Sequence, residues 1–104
     1  MSTLMNLNNS DIVRLIQSNI SLFKKFDGVY LFGSVLDENK FPNDVDILLI
    51  YSKSINEIVE EIDSVLISLQ DFLGISVDLT VLSVEEERDS EFLKRISPRH
   101  IKLK

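Results

Sequence analysis

Cysteine is absent from this chain of 104 residues, which excludes a disulfide framework and every thiolate metal site. Histidine occurs once, at His100, so a zinc or copper centre would lack its usual ligands. Glycine occurs three times, at positions 28, 33 and 74. These are too far apart for a dinucleotide fingerprint, and no Gly-Lys-Ser/Thr ending follows Gly33 as a P-loop requires. The longest apolar run, Ile47 to Ile50, is far below the roughly 20 residues of a membrane helix. No basic start leads into an apolar segment, so export is not expected and the cytoplasm is the expected location. Positive charge is scarce. With 11 Lys and Arg against 17 Asp and Glu, the formal charge of −6 repels a polyanion and argues against broad nucleic-acid binding.

What is present is a globular composition, 44% hydrophobic and 27% charged, enough for one modest core but not two. Residues 1–104 are therefore read as a single domain, in which any cleft is shallow or shared with a partner. No repeat or Pro/Gly/Ser-rich linker divides it. Ile12, Leu15, Ile16, Ile20 and Phe23 recur at helical spacing and predict a helix from Asp11 to Phe26, with Ser10 or an adjacent Asn as cap. Asp27-Gly28 breaks it, and Val29 to Phe32 reads as a strand stopped by Gly33. After a polar loop with Pro42-Asn43, Asp44 to Tyr51 reads as a second strand.

Ser54-Ile55-Asn56-Glu57 has the form of a capping box. It opens an amphipathic helix through Ile58, Val65, Leu69 and Phe72 that Gly74 ends. Ile75 to Leu82 is a third strand, and Ser83-Val84-Glu85-Glu86 is a second box opening a short acidic helix to about Ile96, closed by Pro98. Lys94, Arg95, Arg99, Lys102 and Lys104 form a basic tail, read together with His100 as solvated. Phe23, Phe26 and Phe72 are read as core or as a surface for a partner.

The order α-β-β-α-β-α places a crossover helix between strands two and three, which makes those two parallel. The short link between strands one and two favours an antiparallel pair, so a small mixed α/β sheet with helices packed on it is expected.

The chemistry sits in the second strand. Alternation sends Asp44 and Asp46 to one face and Val45 and Ile47 to the other. Two carboxylates about 7 Å apart repel by roughly 2 kcal/mol at an effective dielectric near 20, and a hard cation such as Mg²⁺ or Mn²⁺ is the natural remedy. In a neighbouring parallel strand with an aligned start, Asp78 joins the same acidic face. Three carboxylates on two strands suit a two-metal seat for phosphoryl chemistry, and the Gly33-Ser34 turn offers free amides and a hydroxyl to a phosphate.

Phe32-Gly33-Ser34, then Asp44-Val45-Asp46-Ile47 and later Val77-Asp78-Leu79 resemble the signature of the DNA polymerase beta-like nucleotidyltransferase superfamily. The likeness is to its minimal, MNT-type branch of small prokaryotic proteins and runs from about Asp11 to Leu82. The resemblance implies a nucleotidyltransferase-like core in which Asp44 and Asp46 bind Mg²⁺ or Mn²⁺. It implies that Asp78 completes the second metal site and helps deprotonate the acceptor, and that Gly33 and Ser34 contact the nucleotide phosphates. The implied reaction is transfer of a nucleoside monophosphate from ATP or another NTP to a hydroxyl of a protein or other acceptor, releasing pyrophosphate. A helical HEPN-type protein is the implied partner, with this chain as the antitoxin of a toxin-antitoxin pair. Many relatives carry an Arg shortly after Gly-Ser and a further Gly beyond it. Here the loop reads Val35-Leu36-Asp37-Glu38-Asn39-Lys40, leaving Lys40 to offset triphosphate charge. That departure supports a second expectation: a catalytically inactive module of the same fold that binds and neutralises or scaffolds a partner protein.

Overall fold

A computed structural model describes residues 8–37 and 44–104. Helix α1 (Asn9–Ser18) is opened by Asn8, not by Ser10 or Asn9. The Asp11 N–H donates to Asn8 Oδ1 at 2.8 Å and the Asn8 N–H donates to Asp11 Oδ2 at 3.2 Å, a reciprocal capping box. The helix also ends earlier than its periodicity predicts. Asn19 folds its amide back to the Leu15 carbonyl at 2.8 Å, and the chain tightens into a 3-10 turn over Ile20–Phe23. Phe23 and Phe26 still reach the core and are buried, while Phe72 is half-buried against it.

Strand β1 (Gly28–Phe32) pairs antiparallel with β2 (Asp44–Tyr51). Helix α2 (Ile55–Leu73) then crosses over to β3 (Ser76–Ser83), which runs parallel to β2 as the crossover length demands. Ser54 caps α2 without a side-chain hydrogen bond, so the expected first box does not form; only its carbonyl is used, accepting from the Glu57 N–H at 3.0 Å. Gly74 closes α2 in the left-handed region at φ 71°, donating its N–H to the Gln70 carbonyl. Inside α2, Ile58, Val65, Leu69 and Leu73 are buried, each contributing roughly 1.5–3 kcal/mol of apolar burial.

The second box is present. The Glu86 N–H donates to Ser83 Oγ at 3.0 Å and the Ser83 N–H to Glu86 Oε1 at 2.9 Å, opening α3 (Val84–Ser90). The single acidic helix expected to Ile96 is instead two, because Glu91 adopts φ 52° and redirects the chain into α4 (Phe92–Ile96).

The basic tail keeps its five Lys and Arg side chains exposed, as expected, but its backbone is not a free end. His100–Lys102 forms β4, antiparallel to β1, giving a sheet of order β3-β2-β1-β4. Without it the outer edge of β1 would leave backbone donors and acceptors unpaired beside the core. The Leu103 N–H donates to the Val29 carbonyl at 2.8 Å, and the Lys104 ammonium donates to the carbonyls of Phe23 and Lys24 at 3.0 and 3.2 Å. His100 is half-buried, edge to face with Tyr30 at 5.6 Å, rather than solvated.

The two sheet faces differ. Val29, Leu31, Val45, Ile47, Leu49 and Val77 point toward α1 and α2 and, with Ile12, Ile16, Phe23 and Phe26, make one core. On the opposite face Leu48 and Ile50 are also buried, beside α3, and the acidic strand starts share that face. No helix among the described residues is long and apolar enough to cross a membrane.

Candidate active site

Register fixes the site. Asp46 stands opposite Asp78 across the parallel pair and opposite Phe32 across the antiparallel one, and Asp44 is two residues back along β2. The odd-numbered neighbours Val45, Ile47 and Val77 are buried in the core, so pleating turns Asp44, Asp46 and Asp78 to the other face. Each of the three offers a carboxylate oxygen within 4.8 Å of the others. They are thus brought together as the sequence predicts; Asp44 and Asp46 are half-buried and Asp78 is exposed. The start of β3 is held by Gln70 of α2, whose Oε1 accepts the Val77 N–H at 3.3 Å.

Gly33 and Ser34 open a 3-10 turn, Gly33–Leu36, directly after β1. Gly33 sits at φ 80°, where L side chains are disfavoured, and a Cβ there would collide with Asp46 Oδ2. The glycine therefore allows the turn to lie against the carboxylate. Ser34 Oγ is 3.4 Å from Asp44 Oδ1, toward which its hydroxyl donates, so the turn touches two of the acids. Val35 anchors the turn in the core. Asn9 of α1 clamps it from outside, its amide donating to the carbonyls of Val35 and Asp37 at 2.6 and 2.8 Å. Sequence reasoning gives Asn9 no such role, because the contact spans 26 residues and nothing local announces it. Lys40 lies outside the described residues.

Burial pushes the Asp46 carboxyl above its ordinary value of 3.8, and the charges of Asp44 and then Asp78 push it further the same way. The cluster is thus short of positive charge. Oxygen donors, close spacing and mutual repulsion together fit a hard divalent cation. A groove of about 370 Å³ lies elsewhere, lined by Val13, Arg14, Val35, Leu36 and Ile101, and none of the carboxylates borders it.

No protein-family model and no curated protein matches the sequence. Solved structures do. The chain is similar to one in a toxin-antitoxin structure with AMP-PNP, at 24% identity and a TM-score of 0.56, covering 94% of this chain and 73% of that one. It is similar to a chain in the complex of tri-AMPylated Shewanella oneidensis HEPN toxin with MNT antitoxin, at 19% identity and a TM-score of 0.55, covering 88% and 71%. A Sulfolobus solfataricus protein described as a nucleotidyltransferase aligns at 21% identity and a TM-score of 0.53, covering 90% and 80%. The element order, the mixed sheet and these likenesses agree: this chain has the nucleotidyltransferase-like fold that those structures share.

Proposed function

We propose that the chain, acting as a single cytoplasmic domain, is a metal-dependent nucleotidyltransferase that moves AMP from ATP to a hydroxyl of a protein acceptor. The observation that carries this is the convergence of Asp44, Asp46 and Asp78 beside the Gly33–Ser34 turn on this fold. Asp44 and Asp46 are the ligands of Mg²⁺ or Mn²⁺, and Asp78 completes a second position. Bound divalent ions supply positive charge to the phosphates and make the acceptor hydroxyl more acidic. Gly33 and Ser34 receive the nucleotide phosphates through backbone N–H groups and a hydroxyl, with Lys40 as a further phosphate contact. The acceptor oxygen bonds to the α-phosphorus, the bond from that phosphorus to the bridging oxygen breaks, and pyrophosphate leaves. Asp78, the most exposed of the three, takes the hydroxyl proton.

The neighbours' partners suggest the acceptor. A helical HEPN-type toxin, modified in one of those complexes, is the proposed partner, with this chain as its antitoxin. The AMP-PNP in another supports ATP as donor. The test is Mg²⁺-dependent transfer of label from α-labelled ATP to a HEPN-type protein, compared with Asp44→Ala and Asp46→Ala. Loss of transfer in both variants supports the enzyme. A second reading, an inactive module that neutralises its partner by binding, is favoured by the absence of any cationic side chain from residues 33–37. Partner binding that survives both substitutions, without transfer in the unaltered chain, would establish it.

A further inference from the structure

An active site of this kind has a charge problem. Three carboxylates and a triphosphate carrying roughly four negative charges outweigh two divalent ions by about three charges, in a chain that is already acidic. Residues 33–37 beside the acids supply no cation, and Lys40 with its single charge offsets only part of the excess, so a positive group from another element has a role to fill.

One such group is joined to the carboxylate face through two aromatic rings. Phe32 shares a register position with Asp46, and because paired residues point the same way, its ring lies on the carboxylate side. Phe92, the first residue of α4, meets that ring edge to face, with centroids 5.5 Å apart and planes at 80°. The left-handed turn at Glu91 makes this possible by redirecting the chain after α3. One helical turn further on, the Arg95 guanidinium carbon lies 5.9 Å from the centre of the Phe92 ring. Arg95 is exposed and makes no ion pair among the described residues, whereas its neighbour Lys94 is paired with Glu91 at 3.5 Å. Its charge is oriented by an aromatic face and not neutralised by a carboxylate.

We propose that Arg95, seated on Phe92, is the cation that meets the terminal phosphates of the nucleotide; this rests on the nucleotide-transfer reading above. A guanidinium suits the task because its planar fork can grip two phosphate oxygens at once and it stacks on a ring without losing its donors. Phe92 and Phe32 are positioning residues, linking the guanidinium to the strand that faces Asp46.

The test measures binding of Mn²⁺ alone, of ATP with Mn²⁺ and of AMP with Mn²⁺ to the unaltered chain, Arg95→Ala, Arg95→Lys and Asp46→Ala. Because Arg95 is exposed, its replacement leaves the fold intact, which circular dichroism verifies. Arg95→Ala is expected to weaken ATP about 10- to 100-fold, the range for losing a charge-assisted contact, while Mn²⁺ and AMP affinities stay unchanged. Arg95→Lys should recover part of the loss. Unchanged ATP affinity in Arg95→Ala, or equal weakening of ATP and AMP, overturns the inference while leaving the metal site standing. If the unaltered chain binds no Mn²⁺, or Asp46→Ala binds it equally well, the transfer reading itself falls and the role of Arg95 with it.

Discussion

Replacing Asp46 by Asn should stabilise the metal-free protein. Asparagine keeps the shape and removes the charge. Asp46 accepts no hydrogen bond among the described residues, and its carboxylate approaches those of Asp44 and Asp78 to within 4.8 Å. At the dielectric of water, two full charges that close repel by about 0.9 kcal/mol, and Asp46 faces two of them. Solvent, salt and side-chain rotation reduce the total, leaving about 1 kcal/mol, or roughly 4–8 °C in melting temperature for a chain of this size. The sign follows from the raised carboxyl. Below the unfolded value of 3.8 the acid is protonated in both states and costs nothing; as pH climbs through the higher folded value, the native state loses stability relative to the unfolded chain. The Asn variant escapes that loss, so its advantage should be absent in acid and open toward neutral pH. Thermal unfolding followed by circular dichroism, in chelator and then in Mn²⁺, measures this. Mn²⁺ should raise the melting temperature of the unaltered chain and leave the variant nearly unmoved. If Asp46→Asn melts lower in chelator at neutral pH, or gains as much from Mn²⁺, the carboxylates are neither crowded nor joined by a cation.

Four further substitutions probe the Gly33 turn, the helix caps and the core. Gly33→Ala should cost about 1 kcal/mol of stability from its left-handed backbone, while the displaced Asp46 carboxylate lowers Mn²⁺ affinity about tenfold or more, read by titration. Ser83→Ala should destabilise by about 1 kcal/mol in urea unfolding, whereas Ser54→Ala should cost only a few tenths, because only Ser83 makes a side-chain cap bond. Phe23→Ala, deep in the core, should cost about 3–5 kcal/mol and leave the chain largely unfolded on warming; a melting temperature within a few degrees of the unaltered protein would contradict the packing described.

Period and punctuation made much of this architecture legible. The bounds of β2 are readable because Asp44 and Asp46 alternate with Val45 and Ile47 before an apolar run to Tyr51, and α2 because its apolar stripe runs unbroken to a glycine. The meeting of Asp78 with Asp46 is also readable, since parallel strands of like length and pattern leave few registers that bury Val45 and Val77 together. What escaped was decided by partners distant in sequence. His100-Ile101-Lys102 is too short to show alternation, and only the free edge of β1 makes it a strand. Asn19 reads as a tolerable helix residue until its amide turns back on Leu15. Glu91 is a non-glycine residue in a left-handed conformation, which no local pattern signals. Ser54 carries the same box pattern as Ser83, yet only one closes, because the signature offers a hydrogen bond without obliging it.

The parallel crossover also makes the acidic cluster a reporter of topology. Asp46 and Asp78 belong to strands separated in sequence by the nineteen residues of α2, so the cluster exists only where β2 and β3 have paired. An ion gripping both therefore recognises only the finished architecture, and at a hundred times its dissociation constant would favour that architecture by about 2.7 kcal/mol. Metal supply would then govern how much of the polypeptide is native as well as how much is competent for chemistry, and starvation for divalent ions would deplete both together.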